Sequence, residues 1–141
     1  MQQAVDDVMI KKSMMITKNE KPIKDVYKMD KKALGSGTYG VVSKVIHLKS
    51  GQERACKTIS RKKIKNWERF ELEVKILQTV DHPHILKLYE YFEDTKNVYL
   101  ITELCTGGEL FDKIIEKEQF EEGYASKVFK QILQAINYCH T

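Results

Sequence analysis

The sequence lacks the features that define several large classes of protein. Its three cysteines, Cys56, Cys105 and Cys139, are scattered without a C-x-x-C pair or the spacing of metal ligands, so we expect a reducing, cytoplasmic compartment. No stretch approaches the roughly 18 uninterrupted apolar residues of a membrane span, and the N-terminus has no signal-peptide pattern. Gln2 stands where N-myristoylation requires a glycine. A net charge of +4 is too small to indicate a nucleic-acid partner.

The hydrophobic pattern of the 141 residues predicts one ordinary globular domain of mixed secondary structure. Residues 1–24 have no sustained period, and the run Asn19-Glu20-Lys21-Pro22 is typical of a linker. A helix is predicted where Phe70, Val74 and Leu77 recur at helical spacing. The predicted strands lie at about 27–35, 40–48, 52–59, 85–93 and 98–103, and the predicted helices at about 66–79, at about 109–117 and from about 122 onward.

A glycine-rich turn between the first two predicted strands carries the most information about function. It has the pattern G-x-G-x-x-G at Gly35, Gly37 and Gly40, and Lys57 follows on the third strand. A dinucleotide-binding turn of this spacing runs directly into a helix, whereas here a β-branched strand follows. A P-loop is excluded because two valines stand where Lys and Ser or Thr are required. A glycine flap between two strands, with a lysine on the third, is the nucleotide-binding pattern of protein kinases.

Three further segments resemble serine/threonine protein kinases of the calcium/calmodulin type, and most of all the calcium-dependent protein kinases. They are Asp81–Ile85, Leu104–Ile114 and Lys130–His140, and they follow the glycine motif in the family's order. The resemblance implies an α+β fold: a kinase small lobe with a five-stranded antiparallel sheet and one large helix, followed by the first two helices of the large lobe. Short connections between the strands independently favour antiparallel pairing.

The resemblance divides the chain into three parts. It implies an N-terminal extension or linker at 1–24, an ATP-binding small lobe at 25–105, and the hinge and start of the large lobe at 106–141, ending before the catalytic loop. The motifs His-Arg-Asp, Asp-Phe-Gly and Ala-Pro-Glu do not occur, and neither does a calcium-binding loop. We therefore expect the ligands of Mg²⁺, and any calcium-binding regulatory domain, to lie outside this sequence.

The resemblance implies that ATP binds against the glycine flap. Lys57 would bind its phosphates and pair with Glu73 of the large helix, and these two are the predicted catalytic residues. Leu77 and Leu88 would belong to the internal hydrophobic column of the family. The predicted nucleotide-binding residues are Leu34, Gly35, Ser36, Gly37, Thr38, Tyr39, Gly40, Val42, Ala55, Lys57, Thr102, Glu103, Cys105 and Glu109.

Within this set, Thr102 would stand behind the adenine, and the backbone of Glu103 and Cys105 would meet its edge. Glu109 would face the ribose or a basic substrate side chain. The alternative is that Glu109 only stabilises the N-terminus of the helix that follows, where acidic residues are favourable. Cys105 could equally be a small apolar filler.

Two functions are consistent with these residues. In the first, the parent protein is a serine/threonine kinase, regulated by calcium, that transfers the γ-phosphoryl group of ATP to protein hydroxyls. In the second, the chain is a non-catalytic nucleotide-binding or protein-interaction module, as in a truncated protein or a pseudokinase. The intact flap, Lys57 and Glu73 favour the first. Because the catalytic loop is absent, we expect the 141 residues alone to be inactive. We also expect the apolar stripe of the last helix to cause self-association through residues 122–140, or to leave this helix partly disordered.

Overall fold

The computed structural model describes residues 18–37, 40–117 and 120–141. Within these ranges the predicted α+β order of strands and helices is confirmed. Five strands are present: β1 (Tyr27–Gly37), β2 (Gly40–His47), β3 (Glu53–Ser60), β4 (Leu88–Glu93) and β5 (Asn97–Thr102). Three α-helices are present: α1 (Trp67–Thr79), α2 (Leu110–Glu116) and α3 (Glu122–His140). Single 3₁₀ turns occur at Ile23–Asp25 and Arg61–Lys63.

The chain folds as two compact units. The first comprises Met1–Val80 and Lys87–Leu104, and the second comprises Asp81–Leu86 and Cys105–Thr141. The first unit contains the whole sheet and α1, whereas the second contains α2 and α3. The domain bounds expected from the sequence, 25–105 and 106–141, stay a prediction.

All five strands form one antiparallel sheet in the order β1-β2-β3-β5-β4, so β4 lies at one edge. Gly51 makes the β2–β3 turn possible because its φ of +70° is one that other residues rarely adopt. Strand β4 begins at Leu88 and not at the predicted residue 85. The reason is a turn after Pro83, in which the Ile85 N–H donates to the carbonyl of His82 at 3.1 Å.

The sheet buries apolar side chains on both faces, because successive residues of a strand point to opposite sides. On the inner face, α1 contributes to a core cluster through Val74, and Phe70 and Leu77 pack against that cluster. Leu77 and Leu88 therefore meet in one cluster, as expected for the internal column. The inner cluster consists of Ile59, Val74, Leu88, Val98 and Leu100, and the outer cluster of Tyr27, Val45, Cys56, Phe92 and Ile101.

Helix α1 begins at a side-chain cap and is held by one narrow apolar face. The Asn66 carboxamide oxygen accepts a hydrogen bond from the Arg69 N–H at 3.0 Å, which satisfies one of the free donors at the helix N-terminus. Val74 is only 6% exposed and faces the sheet. Leu72 and Ile76 lie on the opposite side and are exposed. The helix is therefore fixed to the sheet along a single stripe.

In the second unit, helices α2 and α3 contain no buried residue among those described. The segment before β4 contacts the end of α3, since the Asp81 N–H donates to the Tyr138 hydroxyl at 3.1 Å and the rings of His82 and Tyr138 lie 5.2 Å apart. The apolar stripe predicted for α3 lies on the surface, with Phe129 62% exposed. No described helix combines the length and the apolarity needed to cross a membrane.

Candidate nucleotide-binding site

Three neighbouring strands place four of the predicted site residues on one face of the sheet. Val42 of β2 lies opposite Lys57 of β3, and Ala55 of β3 lies opposite Thr102 of β5. Opposed residues of antiparallel strands project to the same side, and so do residues two apart on one strand. The side chains of Val42, Ala55, Lys57 and Thr102 therefore share a face. Ala55 is buried and the other three are half-buried.

The three glycines of the flap have different surroundings. A methyl group added at Gly40 would lie 2.9 Å from the carbonyl carbon of Thr58 and would overlap its oxygen, so β3 itself requires a glycine there. A methyl group added at Gly35 or Gly37 would meet nothing within 4 Å. Only Gly51 and Gly108 have positive φ among the described glycines, so the backbone at Gly35, Gly37 and Gly40 is not in the left-handed region that favours glycine. What Gly35 and Gly37 provide is open space above the backbone.

The rest of the flap is only partly within the described structure. Leu34 and Ser36 lie on β1 and are exposed, and Ser36 pairs with Val41 across the flap. Thr38 and Tyr39, predicted at the flap tip, lie outside the described residues. The predicted roles of Leu34 and Ser36 toward a nucleotide stay predictions.

Backbone and side-chain bonds hold the end of β5 in place. The Glu103 N–H donates to the Lys87 carbonyl at 3.0 Å, and the Glu103 carboxylate accepts from the Lys87 N–H at the same distance. The Thr102 hydroxyl donates to the Glu103 carbonyl at 3.2 Å. Glu103 is thus fixed on both sides by the residue that precedes β4. No signal in the sequence predicts this role of Lys87, because it depends on the backbone groups of Lys87.

The predicted ion pair between Lys57 and Glu73 is not formed. Glu73 is 61% exposed on its side chain and pairs with Arg69 of its own helix at 3.4 Å, and no ion pair of Lys57 is found in the described part of the chain. Glu73 borders the packed stripe of α1, about 100° from Val74 around the helix, and its exposed carboxylate pairs along the helix instead. Arg69 and Glu73 are four positions apart, so this competing pair was visible in the sequence. The small lobe is therefore not in the arrangement expected of an active kinase.

Two predicted residues belong to the second unit. Cys105 is exposed, and its thiol is free. Glu109 is the N-terminal flanking residue of α2 and is exposed, but its side chain makes no capping hydrogen bond. Neither observation assigns a role, so the contacts proposed for them with a nucleotide stay predictions.

Lys57 and the neighbouring thiol of Cys56 lie on opposite faces of β3 and have different surroundings. Cys56 points to the outer face and is fully buried, and burial raises the pKa of its thiol to about 11, so it is a packing residue and not a nucleophile. Among the residues that the structure describes, no group of three His, Cys, Asp or Glu side chains is arranged to hold a metal ion. The chemistry available on this part of the inner face is thus that of Lys57, an apolar wall and backbone groups, while Lys44, opposite Ala55, is paired with Glu53.

The fold and this face define the class of protein. A family model described as the protein kinase domain matches residues 28–141, and the chain belongs to that family. It is 48% identical to calcium-dependent protein kinase 5 of Plasmodium falciparum over 127 residues, which are 90% of this chain and 22% of the relative. It is 49% identical to calcium-dependent protein kinase 3 of Plasmodium yoelii yoelii over 118 residues, 84% of this chain and 22% of that one.

A more distant relative and a solved structure agree with this assignment. The chain is 42% identical over 110 residues to a probable myosin light chain kinase of Dictyostelium discoideum, covering 78% of this chain and 35% of the relative. Its structure resembles the crystal structure of Rad53 residues 1–466 in complex with AMP-PNP, with a TM-score of 0.82 and 28% identity, over 99% of this chain and 35% of that one. The chain is thus part of a protein kinase domain, and it spans about a fifth of the length of the calcium-dependent kinases it matches.

Proposed function

We propose that the first unit binds ATP on the inner face of β2, β3 and β5, and that the protein of which it is part is a serine/threonine kinase. The carrying observation is the shared face of Val42, Ala55, Lys57 and Thr102, which follows from the strand register. The open space above Gly35 and Gly37 supports the proposal, because a phosphate group needs close approach to backbone N–H groups.

The residues of this face fit the parts of ATP by their chemistry. Val42 and Ala55 provide the apolar wall that a flat heterocycle requires, and Ala55 leaves room because its side chain is small. The ammonium group of Lys57 has no ion-pair partner among the described residues, so it is available to a phosphate. Thr102 is the last residue of β5 and Glu103 follows it, so the Thr102 side chain and the Glu103 backbone would orient the base. ATP would supply the γ-phosphoryl group to the protein hydroxyl, and ADP would be the leaving group.

The named relatives support the finer assignment. The relatives at 42–49% identity are named as calcium-dependent protein kinases and a myosin light chain kinase, and the Rad53 structure contains AMP-PNP, a non-hydrolysable analogue of ATP. We infer from them serine/threonine specificity, Mg²⁺ held by residues outside this chain, a calcium-binding regulatory domain elsewhere in the protein and a cytoplasmic location.

Titration calorimetry with ATP tests the placement of the nucleotide on the 141-residue chain. We expect weak but measurable binding that is lost in Lys57→Ala, because Lys57 is removed and Lys44, on the same face of β2, is paired with Glu53. Lys28→Ala is the matched control: Lys28 is an exposed strand lysine near the opposite end of β1 from the glycines. Unchanged ATP binding in Lys57→Ala, or equal loss in both variants, would exclude this site.

One observation favours the alternative, a non-catalytic module. Glu73 forms an ion pair with Arg69, so the Lys57–Glu73 ion pair that active kinases require is not formed. The two functions differ in the longer protein: phosphorylation of a Ser or Thr substrate that disappears in Lys57→Met supports the enzyme. ATP binding without phosphotransfer, under conditions in which calcium is supplied, supports the module.

A further inference from the structure

Residues 18–26 form a segment, here called the strap, that links the two edges of the sheet. At the β4 edge Lys18 forms a parallel bridge with Tyr91, and the Asn19 N–H donates to the Tyr91 carbonyl at 2.9 Å. At the other end, the Val26 carbonyl accepts from the Leu48 N–H at 2.9 Å. Between them, Ile23 and Val26 pack against the outer core cluster. The part of the strap predicted as a linker therefore contacts the sheet.

The strap precedes the region that defines the family. The protein kinase model begins at residue 28, whereas the alignment with the Plasmodium falciparum kinase spans 127 of the 141 residues and so includes positions before 28. The strap therefore lies outside the general kinase model but within the region of similarity to this relative.

Asn19 is the main point of attachment, because every polar group of its side chain has a partner. Its Nδ2 donates to Glu90 Oε2 at 2.9 Å, and its Oδ1 accepts from the Lys21 N–H at 3.0 Å. Lys18 adds an ion pair between its Nζ and Glu93 Oε2 at 3.4 Å. The strap is therefore held to β4 by a backbone bond, a side-chain bond and an ion pair.

Glu90 is in turn fixed from the opposite side. Its Oε1 accepts from the Tyr27 hydroxyl at 2.6 Å, and Arg54 donates to that same hydroxyl at 2.6 Å. Burial, together with the Glu90 carboxylate, raises the pKa of Tyr27 above its usual value, so the hydroxyl remains a donor at neutral pH. The attachment of Asn19 is thus connected to β1 and β3 through one polar network.

The bridge at Lys18 lies in the same cross-strand row as the proposed phosphate-binding residues. Each member pairs with the next across the sheet, and the row runs from the strap to the glycine flap. Its six members are Lys18, Tyr91, Leu100, Lys57, Val42 and Gly35.

We propose that Lys18 and Asn19 are positioning residues for the nucleotide site, which they influence by closing the free edge of β4 at the end of this row. The inference rests on the proposed role of Lys57 toward phosphate. An edge strand has unpaired N–H and C=O groups and frays more readily than a central one. With the strap bound, the Tyr91 carbonyl has a partner, and Tyr91 stays packed on the cluster that contains Leu100, the neighbour of Lys57. Without it, the row loses its outermost restraint.

The experiment compares Asn19→Ala and Asn19→Pro with the wild-type chain. The first removes the side-chain bonds, and the second also removes the N–H that bonds to Tyr91. Lys24→Ala, an exposed strap residue without a described polar contact, is the control. Hydrogen exchange reports the opening of β4, β5 and β3, and calorimetry compares the affinities for ATP and for adenosine. Adenosine separates positioning of Lys57 from general loosening, because it has no phosphate.

We expect both Asn19 variants to exchange about tenfold faster in β4, β5 and β3, the effect of losing one or two hydrogen bonds. ATP affinity should fall several-fold with adenosine affinity unchanged, and Lys24→Ala should match the wild type. Equal loss of ATP and adenosine binding, or faster exchange confined to β4, would overturn the inference. If the wild-type chain bound no ATP, the proposed function would fail. The strap's role is tested separately, because unchanged hydrogen exchange of β3 and β5 in the Asn19 variants would overturn it.

Discussion

Alanine at Gly40 should destabilise the protein and alanine at Gly35 should not, although both glycines belong to one motif. A methyl group at Gly40 would overlap the Thr58 carbonyl oxygen, so Gly40→Ala requires β2 and β3 to separate locally. Overpacking of this kind destabilises by about 1–3 kcal/mol. A methyl group at Gly35 meets nothing within 4 Å, and φ there is ordinary, so Gly35→Ala should range from neutral to about 1 kcal/mol more stable.

Urea unfolding followed by tryptophan fluorescence measures both effects in the first unit. The single tryptophan, Trp67, packs against the inner core cluster and lies 5.7 Å from the ring of Phe70, so its emission reports that unit. Gly35→Ala should also weaken ATP binding while leaving the fold intact, because its methyl group occupies the space proposed for phosphate. Equal destabilisation by the two substitutions would refute the distinction between a glycine required by β3 and a glycine kept open for a ligand.

Three further outcomes are expected. The 141-residue chain should show no phosphotransfer to any peptide with Mg-ATP, and phosphate incorporation that Lys57→Met abolishes would contradict this. The chain should self-associate through the exposed stripe of α3, so light scattering should show a smaller species for Phe129→Lys than for the control Lys127→Ala; a monomeric wild type at high concentration would contradict it. Burial alone would raise the pKa of Asp94, but hydrogen bonds from the N–H groups of Lys96 and Asn97 outweigh it and lower the pKa. The stability from this turn is therefore present at neutral pH and lost as the pH falls from about 5 through the lowered pKa, and Asp94→Asn should flatten that decline in acid unfolding.

The strands and the large helix were predictable because their signals are local. Phe70, Val74 and Leu77 mark the face by which α1 packs, and Gly51 marks the turn that closes the β2–β3 hairpin. The face shared by Ala55 and Lys57 follows from strand alternation alone. These features depend on spacing, which a sequence displays directly.

The features that escaped prediction depend on the placement of the helix and on distant partners. Whether Glu73 reaches Lys57 or pairs with Arg69 depends on how α1 lies against β3, and the helical pattern is the same for both. The contact of Asn19 with Glu90 joins residues 71 positions apart, in a run whose composition is typical of a linker. The different surroundings of Gly35 and Gly40 arise from the approach of β3, which the glycine motif does not encode.

Affinity labelling of the lysines tests the central claim most directly. An acyl phosphate derivative of ATP transfers its acyl group to a lysine amine close to the bound phosphates, and mass spectrometry then identifies the modified residue. We expect the label on Lys57, prevented by excess ATP, with the other lysines of the chain as internal controls. Label spread over surface lysines without competition by ATP, or concentrated on a lysine away from the inner face, such as Lys49, would contradict the account.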